Sequence, residues 1–149
     1  GVPWIQCNTT GPPVVPRYAS SMELRLDAIG IVVKDVAQSA RFYRLLGVPF
    51  GEPGPDDSHF ETTLPNGLRL MLDSEELIQS IDEGWVKPIG QSQGLAFHCG
   101  DAGGVDAAYA QVLAAGFKGR KEPWDAFWGQ RYAQVEDPDG HSVDLFAPL

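Results

Sequence analysis

Apolar residues along the chain fall into two alternating kinds of spacing. Residues 24–33 form an apolar, β-branched run, which predicts a buried strand. Asp35 then stands where a helix N-cap belongs, and Val36, Ala40, Tyr43 and Leu46 follow at helical spacing, with Phe42 and Leu45 beside them. The spacing predicts a helix over 36–46, closed by Gly47 at its C-terminal cap. A second strand is expected at 48–50, a turn-rich loop over 51–58, and further strands at 59–64 and 68–73. Ser74, followed by Glu75 and Glu76, opens a short linking helix that ends near Ile81. Residues 82–92, with Gly84, Pro88 and Gly90, form a connector, in which Trp85 reads as a lid or a packing anchor.

The plan then repeats. A strand is expected at 93–99, a cap at Asp101, a helix over 105–115 ended by Gly116, and a strand at 117–124. An aromatic loop (Trp124, Phe127, Trp128) leads through Gly129 into alternating runs at 131–136 and 142–147. Asp137-Pro138-Asp139-Gly140 joins those runs: Pro fixes φ, Asp bonds its own backbone, and Gly accepts a positive φ, so a hairpin is expected. Leu64-Pro65-Asn66-Gly67 has the same grammar before residues 68–72. Two β-α-β-β-β units in succession predict an α+β protein with mixed sheets rather than a doubly wound one. The chain accordingly divides into an N-terminal extension or added tail (1–21), a first module (22–74), a linking helix and connector (75–92) and a second module (93–149).

Strand alternation sorts the side chains into two faces. Ile29, Ile31, Val33, Leu95, Phe97, Cys99, Ala133, Val135, Val143 and Leu145 are expected to face the helices. The opposite face carries Ala28, Gly30, Val32, His59, Glu61, Arg69, Met71, Gly94, Ala96, His98, Tyr132, Gln134, Glu136, Asp144 and Phe146. It reads as a cavity wall, with small residues on its floor and polar or aromatic groups around them.

Trp128-Gly129-Gln130-Arg131, and residues 137–146 with their D-P-D-G-x-x-V-D-L-F pattern, resemble the vicinal oxygen chelate superfamily, which includes glyoxalase I, extradiol dioxygenases and bleomycin-resistance proteins. Residues 26–35 and 42–47 resemble that family's opening strand and helix, and the likeness spans roughly residues 23–149. It implies paired βαβββ half-barrels around a ligand cavity, and a homodimer in which strands of two chains complete each cavity. In metal-dependent relatives each module supplies one ligand from its first strand and one from its last. Carried over by position, those sites fall on Ala28, Met71, Gly94 and Asp144. Ala and Gly offer no ligand atom, and a Met thioether is too soft for an oxygen-rich site. Asp144 alone cannot hold a catalytic ion, which usually needs three protein ligands, so neither the family's metal nor another cofactor is expected.

The formal charge of −9, from 20 acidic and 11 basic residues in 149, argues against nucleic acid and anionic membranes as partners. It would concentrate cationic small molecules, though acidity also simply maintains solubility. No apolar run approaches the ~20 residues of a membrane span. Cys7 and Cys99 lack metal or redox spacing, and a reducing cytoplasm is the expected setting. Residues 1–21 carry four prolines in the first sixteen and lack the features of a signal peptide; Met22 is the expected native start, and the Asn8-Thr9-Thr10 sequon reads as chance.

The candidate ligand-binding set is His59, Glu61, Met71, His98, Trp124, Phe127, Trp128, Tyr132, Gln134, Glu136, Asp144 and Phe146. Aromatic faces with nearby carboxylates suit a planar cation. The resulting expectation is a metal-independent protein, similar to the bleomycin-resistance branch, that sequesters an aromatic, cationic compound. The alternative is a lyase, isomerase or dioxygenase, using a metal displaced among His59, His98, Glu61 and Asp144, or Glu61 and His98 as an acid–base pair. A non-catalytic interaction module is a third reading. His141, in the turn, is expected to face solvent.

Overall fold

A computed structural model describes residues 24–149; the expectations for residues 1–21, Met22, Cys7 and Asn8 lie outside the described residues. Strand β1 (Ala28–Val33) leads into helix α1 (Val36–Leu45), then β2 (His59–Thr63) and β3 (Arg69–Ser74). Helix α2 (Glu75–Ile81) and the connector precede β4 (Leu95–His98), α3 (Ala102–Ala114), β5 (Lys118–Ala126), β6 (Gln130–Glu136) and β7 (Ser142–Pro148). The first sheet has the order β1-β3-β2 and the second β4-β7-β6-β5. In each, the opening strand lies parallel to the closing one, and the remaining pairs are antiparallel. The protein is thus α+β, with two sheets and three helices.

Local chemistry sets the boundaries. Asp35 accepts a hydrogen bond from the Gln38 N–H, Ser74 from Leu77 and Asp101 from Gly104, each supplying an oxygen to a helix start. Both Pro-Asx-Gly turns form as expected. Gly67 donates to Leu64 and Gly140 to Asp137, and both glycines hold φ near +90° (90° and 84°).

Three expectations about elements need correction. Residues 48–50 form no strand: Pro49 has no N–H to offer a ladder, and the Phe50 N–H turns back to the Val48 carbonyl. Val48 and Phe50 are nevertheless buried, with Phe50 stacked on Phe60 at 5.8 Å, so the apolar signal was real but served packing. The first module is therefore β-α-β-β, one strand short of the second. Helix α3 starts three residues earlier than its apolar spacing indicated, because Asp101 caps it directly. Strand β5 runs two residues past its expected end at Trp124, to Ala126, so the aromatic loop is shorter than expected.

The core lies between the helices and one face of each sheet. Val33, Leu70 and Leu72 from the first sheet, and Ala133, Val135, Val143 and Leu145 from the second, meet Phe42 and Tyr43 of α1 and Val105 and Val112 of α3. Ile29, Ile31, Leu95, Phe97 and Cys99 pack against that cluster, as the alternation predicted. Several contacts lock the modules together, among them the Phe42 ring, which meets Phe117 edge-on at 5.2 Å, and the Tyr43 hydroxyl, which donates to Asp137 at 2.8 Å. Asp137 is only 4 % exposed and also accepts from the Asp139 and His141 N–H groups, so this clasp is fully satisfied. Burial and the Asp137 charge push the Tyr43 phenol far above its ordinary range.

Candidate functional site

The faces turned away from the helices carry the candidate residues, and the two modules furnish them differently. On the second sheet Tyr132 and Gln134 of β6 stand opposite Phe146 and Asp144 of β7. The Tyr132 hydroxyl donates to Asp144 Oδ2 at 2.6 Å, and Gln134 Nε2 donates to Oδ1 at 3.1 Å. Both donors are neutral, and among the described residues no cationic side chain lies within salt-bridge distance of Asp144. Burial and that carboxylate push the Tyr132 phenol well above its ordinary value.

Around Tyr132 an aromatic cluster forms. Trp124 and Trp128 each approach it edge-on at 5.3 Å and meet one another at 6.2 Å. Trp128 anchors to Gln130 through its indole N–H (2.7 Å), and Phe127, 87 % exposed, stands out from the hairpin against Trp128. Gly129, at φ 89°, makes the tight turn that delivers these rings. Lys121 places its ammonium 3.8 Å from the Trp124 ring centroid. This contact was not legible from alternation, since residues three apart on a regular strand face opposite ways. A register shift between Lys121 and Trp124, where Pro123 withholds a ladder N–H, brings them to one side. The indole face therefore already attracts a cation, one supplied by the protein itself.

The first sheet carries a ladder of charges instead. His59 sits opposite Asp73, and their side chains meet at 2.6 Å. Glu61 receives Arg69 Nη1 at 2.5 Å and lies 3.5 Å from His59, while Arg69 also grips Asp27 at 2.9 Å. The Asp73 hydrogen bond raises the His59 imidazole above its usual value, and the Arg69 guanidinium holds Glu61 and Asp27 below theirs. Asp73 was not among the sequence candidates because the expected strand ended there. Its parity with Met71, two residues before it, was the available signal.

Glu61 and His98 are engaged separately. Glu61 is bound to Arg69 and His59, whereas His98 Nδ1 accepts the Gly100 N–H at 3.0 Å and its ring meets Phe146 edge-on at 5.2 Å. Glu136 is half-buried on β6, and Met71 lies over Gly30, its methyl 3.6 Å from where a Cβ would stand. His141 is not free in solvent: it is half-buried, with Nδ1 3.4 Å from Asp137. Trp85 is half-buried on the wall of a cleft between the modules.

The family's metal does not fit this donor set. Ala28 and Gly94 bring no ligand atom, Met71 brings a thioether, and both Asp144 oxygens already accept hydrogen bonds. Among the described residues no three His, Cys, Asp or Glu side chains come together to hold an ion. Nor is any helix among them long and apolar enough to cross a membrane.

Comparison with known proteins agrees with this architecture. A glyoxalase-related enzyme from Fulvimarina pelagi is similar at 22 % identity and a TM-score of 0.71, covering 83 % of this chain and 87 % of its own. A glyoxalase/bleomycin resistance protein/dioxygenase family enzyme from Burkholderia phytofirmans is similar at 18 % identity and a TM-score of 0.71, covering 85 % and 100 %. A glyoxalase/bleomycin resistance protein/dioxygenase from Nocardioides is 24 % identical, with a TM-score of 0.65 over 89 % of this chain and 91 % of that one. No curated protein matches the chain. The family model of the Glyoxalase/Bleomycin resistance protein/Dioxygenase superfamily matches residues 25–145, and the chain belongs to that superfamily.

Proposed function

We propose that the protein binds a flat, cationic aromatic molecule on the open face of its second sheet, without a metal, and holds it without converting it. The observation that carries this reading is the Asp144 carboxylate: it is held by two neutral donors beside the Trp124–Trp128–Tyr132 cluster, with no cationic partner within salt-bridge distance among the described residues. A planar cation there gains stacking and cation–π attraction of ~0.5–2 kcal/mol each, with charge attraction in addition. Lys121 marks where such a charge is favoured and would be displaced by a ligand that binds the same indole face.

Both candidate faces carry exposed residues, Ala96 and His98 on one sheet and His59 and Glu61 on the other, although Tyr132 itself is buried. A homodimer in which each face is closed by the partner's opposite module would turn these surfaces into cavities. This is the arrangement we infer for the binding state. Sequestration of a toxic compound in the cytoplasm, as in antibiotic resistance, is the role such a receptor would serve.

Quenching of tryptophan fluorescence at pH 7.5 by N-methylquinolinium, set against neutral quinoline, tests the reading. Saturable quenching by the cation and distinctly weaker quenching by quinoline is the expected result. Equal quenching by both, or none that saturates, overturns it. A second reading rests on the Asp73–His59 pair, whose geometry suits an oriented acid–base group on the first sheet. Under it His59→Ala would abolish a turnover, whereas under the first it leaves quinolinium binding in place.

A further inference from the structure

A cleft of about 630 Å³ runs between the modules, and neither Asp144 nor the Trp124–Trp128–Tyr132 cluster is part of its lining. Its size is that of a small-molecule pocket. Both sheets present an open edge to it. The Asp27 carbonyl accepts from the Arg69 N–H, and the Cys99 N–H donates to the Phe146 carbonyl. The alternation of a parallel ladder then turns the backbone groups of Gly30, Val32 and Gly94 outward, into the cleft they line. The Ser142 hydroxyl, on a residue of the same lining, is buried with no hydrogen-bond partner.

The charges of the lining sort into committed and free. Glu75 is paired with Lys87 at 2.8 Å, and Asp137 is saturated by Tyr43 and two backbone N–H groups. Asp139 accepts from the Lys34 N–H and the Ser39 hydroxyl, and burial raises its pKa. The Arg120 guanidinium and the Lys34 ammonium, in contrast, have no carboxylate within salt-bridge distance among the described residues. Arg120 also occupies a β-bulge. Gly119 pairs with Val135 and Lys121 with the next residue, Gln134, which leaves Arg120 as the extra residue. Gly119 is required there, because a Cβ would stand 2.1 Å from the Tyr109 hydroxyl. A bulge that re-aims one side chain is a feature of sites. In a chain of net charge −9, two cations outside any ion pair among the described residues go against the general field, although Lys34 still acts on the nearby Asp139 carboxylate.

We propose that this inter-module cleft is a second ligand site, selective for a small organic oxyanion on a flat apolar body. Arg120 and Lys34 meet the carboxylate or phosphate, outward N–H groups of the strand edges complete its shell, and Trp85 with Ile29 and Ile31 covers the apolar part. The site is independent of the cation-binding face, so either assignment stands if the other fails.

Calorimetric titration of the full chain with benzoate, phenyl phosphate, benzyl alcohol and benzylamine decides it. Saturable binding of at least one anion, with neither the alcohol nor the amine binding, is expected; which anion binds more tightly separates a carboxylate ligand from a phosphate one. Arg120→Gln should weaken that anion about tenfold, and Lys34→Gln should act in the same direction. Arg120→Gln should leave both the thermal midpoint and quinolinium quenching unchanged, since its side chain has no ion-pair partner among the described residues. No saturable anion binding, equal binding of benzylamine, or affinities untouched by both substitutions would overturn the proposal.

Discussion

The two open sheet faces are built on one plan and reach opposite electrostatic ends. On the first, Asp73, His59, Glu61, Arg69 and Asp27 follow one another so that each charge meets its opposite. On the second, Asp144 meets only a phenol and an amide, and the Tyr132 ring that supplies the phenol stands in a cluster with Trp124 and Trp128. A ligand at the first face would have to break existing ion pairs before forming its own. At the second it adds to charge and surface already in place. Having many charged residues does not make a binding face; having one left unanswered beside apolar surface does.

The largest expected effect comes from undoing the clasp that holds the two halves together. Asp137→Ala removes the acceptor of the buried Tyr43 hydroxyl and of two N–H groups, and should cost ~2–4 kcal/mol in urea unfolding. A loss too small to resolve would show that the modules are joined chiefly by their other contacts, Phe42 with Phe117 and Lys34 and Ser39 with Asp139. Asp144→Asn comes next and addresses the contrast itself. It keeps the shape and the Tyr132 donor while removing the charge, so N-methylquinolinium should bind about tenfold more weakly and quinoline unchanged. Glu61→Gln, on the self-neutralised face, should change neither affinity. Equal losses from the two substitutions would erase the distinction between the faces.

Most of the architecture was legible in the sequence because period and punctuation agreed. Asp35, Ser74 and Asp101 mark helix starts, and the two Pro-Asx-Gly turns place β3 and β7. Residues 48–50 misled because burial of Val48 and Phe50 gives the same apolar signal as a strand, while Pro49 prevents the ladder. Within the site, parity put Tyr132, Gln134, Asp144 and Phe146 on one face. Parity could not give the Lys121–Trp124 contact or the bulged Arg120, since a bulge breaks the period on which the inference rests. The partners that set the charge balance, Asp73 to His59 and Arg69 to Glu61, depend on cross-strand register, which only the folded chain fixes.

The smallest effect is a titration. His59 holds its proton more tightly when folded, because Asp73 accepts its hydrogen bond. Its contribution to stability is therefore fully present below the unfolded imidazole value of 6.5 and lost as pH rises through the higher folded value. The NMR titration of its ring should give a midpoint above 6.5, returning toward that value in Asp73→Asn. A midpoint at or below 6.5 in the unaltered protein would mean that the ladder is open in solution.

In the proposed binding mode Asp144 serves a ligand directly and not through an ion. Elemental analysis of protein purified without chelator tests it most directly, read together with quinolinium affinity before and after addition of Mn, Ni or Zn. Far less than one divalent ion per chain, and an affinity that added metal does not raise, are the expected results. Close to one ion per chain, lost in Asp144→Asn, would contradict it.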